Sequence, residues 1–112
     1  MFQPGDVITV KYYFNGDAGP FKLRPALILQ VLQPGAVFKI AQITTTNRSH
    51  ELCGIWVDDK SKEFRAMGLK SSSFVNLSNL KTVPFSLIHK LIGKCPLMNE
   101  LKELGKIRGI VF

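Results

Sequence analysis

The stretch KLRPALIL, Lys22 to Leu29, sets an arginine and a proline at the head of an apolar run. An arginine brings a permanent charge and a planar fork of donors that suits phosphate or carboxylate oxygens. Further on, Thr44, Thr45 and Thr46 offer three hydroxyls that can donate or accept a hydrogen bond without titrating. On an extended strand Thr44 and Thr46 share a face and Thr45 points the other way. His50 lies in the same polar segment and is the residue type that titrates near neutrality. Asp58 and Asp59 diverge if they lie on a strand and are solvated in a turn, so they do not read as metal ligands. Cys53 and Cys95 have no CxxC or His/Cys cluster around them and read as buried free thiols. Taken alone, Arg24 is a solvated charge before a strand, and the threonines are a β-favouring strand end.

The elements that must position these residues follow from periodicity. Val7 to Phe14 alternates as a strand, with Ile8, Val10, Tyr12 and Phe14 on one face. NGDAGP then reads as a loop running from Asn15 to Phe21, which could close over a ligand. Proline has no N–H and belongs at a strand start, an edge or a bulge. Pro25 to Leu32 is therefore a second strand, apolar enough to be buried on both faces, with Arg24 where the loop meets it. QPG at 33–35 predicts a tight turn and Val37 to Thr44 an antiparallel return. Thr44 to His50 is too polar for a core strand. Leu52–Val57, Ser72–Leu77 and Leu87–Ile92 are further strands, the last carrying His89 as a packed or surface residue, and DDKSKE is a solvated turn. Leu97, Met98, Leu101 and Leu104 are spaced for a helix, with Pro96 at its first position and Gly105 as its stop. Many short strands and a terminal helix imply a small, strongly bent sheet or barrel with a helical lid.

A chain of 112 residues with 46% hydrophobic content supports one core, so residues 1–112 read as a single domain. No apolar run approaches the roughly 18 residues of a membrane span, and MFQPGDVITV lacks the pattern of a signal peptide. A soluble cytoplasmic protein is expected. Fifteen Lys and Arg against eight Asp and Glu give a net charge of +7, and no acidic residue falls between Phe64 and Asn99. Such a basic field attracts polyanions, whether nucleic acid, an acidic surface or an acidic protein partner.

Several motifs recur in a recognisable order: PGDVITV, RPALIL, AQITT, GLKSSSFVNLSNLKTV, then LIHKLIGK and a helix. Together they resemble the MazF/PemK family of toxin ribonucleases over residues 4 to about 107. The resemblance implies a mainly β fold with some α, a small SH3-like barrel of the MazF/CcdB toxin type with a C-terminal helix. It implies a homodimer that cuts single-stranded RNA with no metal or cofactor, through the RNA's own 2′-hydroxyl, to leave 2′,3′-cyclic phosphate and 5′-hydroxyl ends. A cognate antitoxin with an acidic, apolar tail would block the groove. Matched positions make Arg24 and Thr44 the catalytic pair, Arg24 first as an electrostatic stabiliser, since its high pKa makes it a poor base. Phe21, Lys22, Arg48 and Lys70 are candidates for RNA contact. Some relatives carry an Arg-x-Asp pair where this chain has Asn76 and Ser78, which cannot transfer protons as that pair does. Thr46, His50, Asn76 and Ser78 remain candidates for catalysis or substrate orientation, and the proton acceptor is unassigned. The alternative is a non-catalytic barrel that binds nucleic acid, or a poison of a protein such as gyrase.

Overall fold

The computed structural model describes residues 2–15 and 18–112. Six strands, β1 (Asp6–Asn15), β2 (Ala18–Gln33), β3 (Val37–Thr44), β4 (Gly54–Val57), β5 (Ser73–Pro84) and β6 (Ile88–Lys94), form one sheet in the order β4-β5-β3-β2-β1-β6. Every pairing is antiparallel. Bulges interrupt the β1–β6, β2–β3 and β3–β5 ladders, and each adds bend and twist to the strand that carries it. The end strands β4 and β6 do not pair with each other among the described residues, so the sheet curls without closing into a hydrogen-bonded barrel. Two helices lie along the open side: α1 (Lys62–Met67) packs on β6 and α2 (Met98–Ile107) on β4. Among the described residues no helix is long and apolar enough to cross a membrane.

Alternation sorts the apolar residues into two cores. Val7, Leu27, Leu29, Ala41 and Ile43 face the helices with Met67 and Leu101, while Ile8, Val10, Ala26, Ile28, Phe38 and Ile40 fill the other side. The middle of β2 is thus buried on both faces, as its apolar run implies, and each such side chain contributes on the order of 1.5–3 kcal/mol of transfer free energy. Ile8, Val10 and Tyr12 share a face as expected, and the Phe14 side chain lies outside the described residues. Pro34 and Gly35, with Gly35 at φ +71°, turn β2 into β3. Cys53 and Cys95 are buried and unpaired, and burial pushes the Cys95 thiol up from its ordinary pKa.

Several boundaries differ from the sequence reading. β2 begins at Ala18, because β1 goes on pairing through Val10–Arg24 and Tyr13–Phe21, so most of the loop expected at Asn15–Phe21 is a hairpin arm. Gly16 and Asp17 of that loop lie outside the described residues. Pro25 is therefore inside a strand, where it is tolerated because β3 pairs with β2 only from Ala26 onward. The DDKSKE segment leads into α1, where the Ser61 hydroxyl accepts the Phe64 N–H at 3.2 Å and Gly68, at φ +69°, ends the helix. Pro96 precedes α2 by two residues and does not open it. Gly105 lies within α2, and the stop is Gly109 at φ +75°. There the Ile110 and Gly109 N–H groups donate back to Gly105 O at 2.8 Å and Lys106 O at 3.2 Å.

Candidate active site

The β2–β3 ladder runs Ile28–Ile40, Leu27–Ala41, Ala26–Gln42 and stops. Pro25 is the next residue on β2, and it has no N–H with which to carry the ladder on. The same register continued by two residues sets Arg24 opposite Thr44. Both lie on the face that carries Ala26, Ile28, Phe38 and Ile40. Proline also confines the residue before it to extended conformations, which holds the Arg24 backbone in the strand. The end of the ladder is a notch with an arginine on one wall and a threonine on the other.

Two adjoining depressions open from this notch, and Arg24, Pro25, Ile43 and Thr44 line both. The smaller, about 250 Å³, is completed by Tyr12, Tyr13, Gln42 and Lys81. The Tyr12 ring has two cations beside it, the Arg24 guanidinium carbon 6.0 Å and Lys81 Nζ 5.5 Å from the ring centroid. Gln42 Nε2 donates to the Tyr12 hydroxyl at 3.2 Å, and Asn79 Nδ2 donates to Gln42 Oε1 at 3.5 Å. The larger depression is a cleft of about 910 Å³, walled by Thr9, Thr45, Thr46, Lys70, His89 and Lys90 among others. Arg24, Lys70, Lys81 and Lys90 make no ion pair with any described residue, and no described carboxylate lines either depression. Charge of one sign inside a concave, partly apolar surface focuses the field on an anion. Such an arrangement can hold a phosphodiester at the notch and a nucleotide on either side.

The residues proposed from sequence divide into three groups. Arg24, Thr44, Thr46 and Lys70 come together at the cleft, and Thr45 joins them because β3 ends at Thr44 and strand alternation stops there. Phe21 and Lys22 lie outside both depressions on the hairpin arm of β2, where Phe21 packs 5.4 Å from the Tyr13 ring and under Lys11 Nζ. The rest are occupied elsewhere. Arg48 Nη2 binds Glu51 Oε2 at 2.8 Å, and His50 Nε2 lies 3.2 Å from Glu51 Oε1. The Arg48 hydrogen bond holds the Glu51 carboxyl below its usual pKa. Asn76 Oδ1 accepts the Ser78 N–H, and Ser78 Oγ accepts the Cys53 N–H, each at 2.8 Å. Ser78 ties the irregular part of β5 to the loop before β4, and Asn76 braces the backbone within β5.

No family model and no curated protein matches the sequence. Among solved structures, the Mycobacterium tuberculosis toxin MazF-mt6 is similar to the chain with a TM-score of 0.60 and 24% identity. The match covers 94% of this chain and 98% of that one. The chain has a MazF-like fold.

Within this MazF-like fold the sequence reading leaves out Tyr12, Gln42 and Lys81, and sets His89 aside. Tyr12 and Gln42 sit on the same face as Arg24 and Thr44, a consequence of register between three strands that no single stretch reveals. His89 reaches the cleft through a bulge. Thr9 is opposite Lys90 and Val10 opposite Ile88, so His89 is an extra residue on β6. An alternating pattern carries no sign of such an insertion.

Proposed function

We propose that this chain is a toxin endoribonuclease of the MazF type, and the observation that carries the reading is the Arg24–Thr44 notch at the end of the β2–β3 ladder. The two residues that the family resemblance singles out are distant in sequence, yet both line the two depressions. RNA supplies its own nucleophile, so the protein has to bind a phosphodiester, align it and neutralise the charge that builds on its oxygens. Arg24 offers parallel N–H donors to the non-bridging oxygens, and this kind of stabilisation is worth several kcal/mol when the donor is preorganised. Thr44 offers a hydroxyl that orients the phosphate or the 2′-oxygen.

Around the reacting bond, Lys70 holds backbone phosphates in the cleft. Phe21 and Lys22 engage flanking nucleotides from the hairpin arm, by stacking and charge. The reaction needs no metal or cofactor, and the products are a 2′,3′-cyclic phosphate and a 5′-hydroxyl. Sequence preference arises from the surfaces on either side of the notch. In this reading the active species is a cytoplasmic homodimer whose basic clefts are blocked by an acidic antitoxin segment.

Incubating purified protein with long single-stranded RNA in EDTA tests the proposal. Discrete fragments are expected, with 5′ ends that a kinase can phosphorylate directly, and DNA of the same sequence stays intact. RNA that survives a large excess of protein would support the non-catalytic binding barrel instead.

A further inference from the structure

We propose that His89 accepts the 2′-hydroxyl proton, an inference that rests on the nuclease reading and fills the role which Asn76 and Ser78 leave vacant. A base at neutral pH needs a free lone pair. Arginine and lysine side chains are protonated there, threonine hydroxyls are too weakly basic, and no described carboxylate lines the cleft. Of the described residues lining the cleft, His89 is the one whose side-chain type fits that task.

Its placement agrees with the role. Bulges re-aim side chains and are common beside active sites, and His89 is the inserted residue of the β6 bulge between Lys90–Thr9 and Ile88–Val10. Val10 is also the β1 partner of Arg24, so β1 alone separates the histidine from the arginine. Two strand spacings put their backbones about 10 Å apart; Arg24 leaves β2 on the Tyr12 face and His89 lies on the Thr9 face, and both line the same cleft. His89 Nδ1 lies 3.4 Å from Thr9 Oγ1 on β1. In the tautomer that donates Nδ1–H to Thr9, Nε2 keeps its lone pair free. The His89 side chain is exposed, with Lys90 beside it on β6, Thr9 facing it from β1, Arg24 on β2 and Lys70 from the segment after α1. Those neighbours are neutral or cationic.

The step balances without a further reagent except water. The 2′-O–H proton moves to Nε2, the 2′-oxygen bonds to phosphorus, the P–O5′ bond breaks, and the 5′-oxygen leaves with a proton from water. Histidinium then returns its proton to solvent.

Single-turnover cleavage in EDTA, on an RNA that the wild type cuts, followed from pH 5 to 8.5, tests this. The wild-type rate is expected to rise with pH with a slope near one and then level. His89→Ala and His89→Asn are expected to lose on the order of a hundredfold or more together with that rising limb; the Asn variant keeps a donor for Thr9. Affinity for a 2′-O-methyl version of the RNA should stay within about threefold, and added imidazole should restore part of the His89→Ala rate, which a structural role does not allow. Folded variants that cut within threefold of wild type and keep the rising limb would overturn the inference alone. A wild type that leaves RNA intact would overturn the nuclease reading and this assignment with it.

Discussion

Arg24 and Thr44 differ in what they ask of a substitution. In the proposed nuclease the arginine acts through a fork and a charge, and the threonine through one hydroxyl carried by the last residue of β3. Thr44→Ser keeps that oxygen and is expected to cleave RNA within a few-fold of wild type. Thr44→Val keeps the shape and the β preference, and its kcat should fall about ten- to a hundredfold with little change in melting temperature. Equal rates for the two variants, measured in one assay, would remove Thr44 from the chemistry. These two residues were legible in sequence through the motifs RPALIL and AQITT. Tyr12 and Gln42 in the smaller depression and His89 in the larger cleft were not, because their places depend on how neighbouring strands are registered and on one inserted residue. Asn76 and Ser78 sat at suggestive positions, yet their side-chain oxygens accept backbone N–H groups, a use that only the folded chain reveals.

At the scale of elements, a proline sets the site apart from the rest of the sheet. It was read as the first residue of β2; it is instead the residue at which the pairing with β3 stops while the pairing with β1 goes on. Pro25→Val supplies an N–H and relieves the restriction on Arg24, so the ladder can extend and close the notch. One added hydrogen bond is worth about 1 kcal/mol, roughly offset by the greater freedom of the unfolded chain. We expect RNA cleavage by Pro25→Val to fall at least tenfold while its urea midpoint barely moves; full activity would show that the broken ladder is incidental. The central strands and α2 were visible because their apolar periodicity is strong. α1 was not, since six residues give too few turns for a period to register, although Ser61 and Gly68 mark its two ends. The short β4 and the long irregular β5 show the same limit, as their boundaries are set by pairing, β4 with β5 and β5 with both β3 and β4, and not by local composition.

The molecule as a whole combines an uncurbed positive charge with a sheet left open at its edge. The +7 balance was plain in the composition, whereas its focus on one cleft was not, because Arg24 and Lys90 reach it from two strands and Lys70 from the segment after α1. For three cations the affinity for single-stranded RNA should fall with a log–log salt slope of about −2, a loss of roughly twentyfold between 50 and 200 mM salt. Titrating a labelled 2′-O-methyl RNA across that range checks it, and Lys70→Ala or Lys90→Ala should each make the slope shallower by about 0.7. A slope unchanged in both variants would place the RNA elsewhere on the surface. The central claim, that RNA is bound and cut at the notch between β2 and β3, is tested most directly by the cleavage rate of Arg24→Ala on single-stranded RNA in EDTA beside its affinity for the same RNA. The account predicts a loss of about a hundredfold or more in rate with affinity reduced no more than about tenfold. An Arg24→Ala protein that cuts RNA as fast as wild type would contradict it.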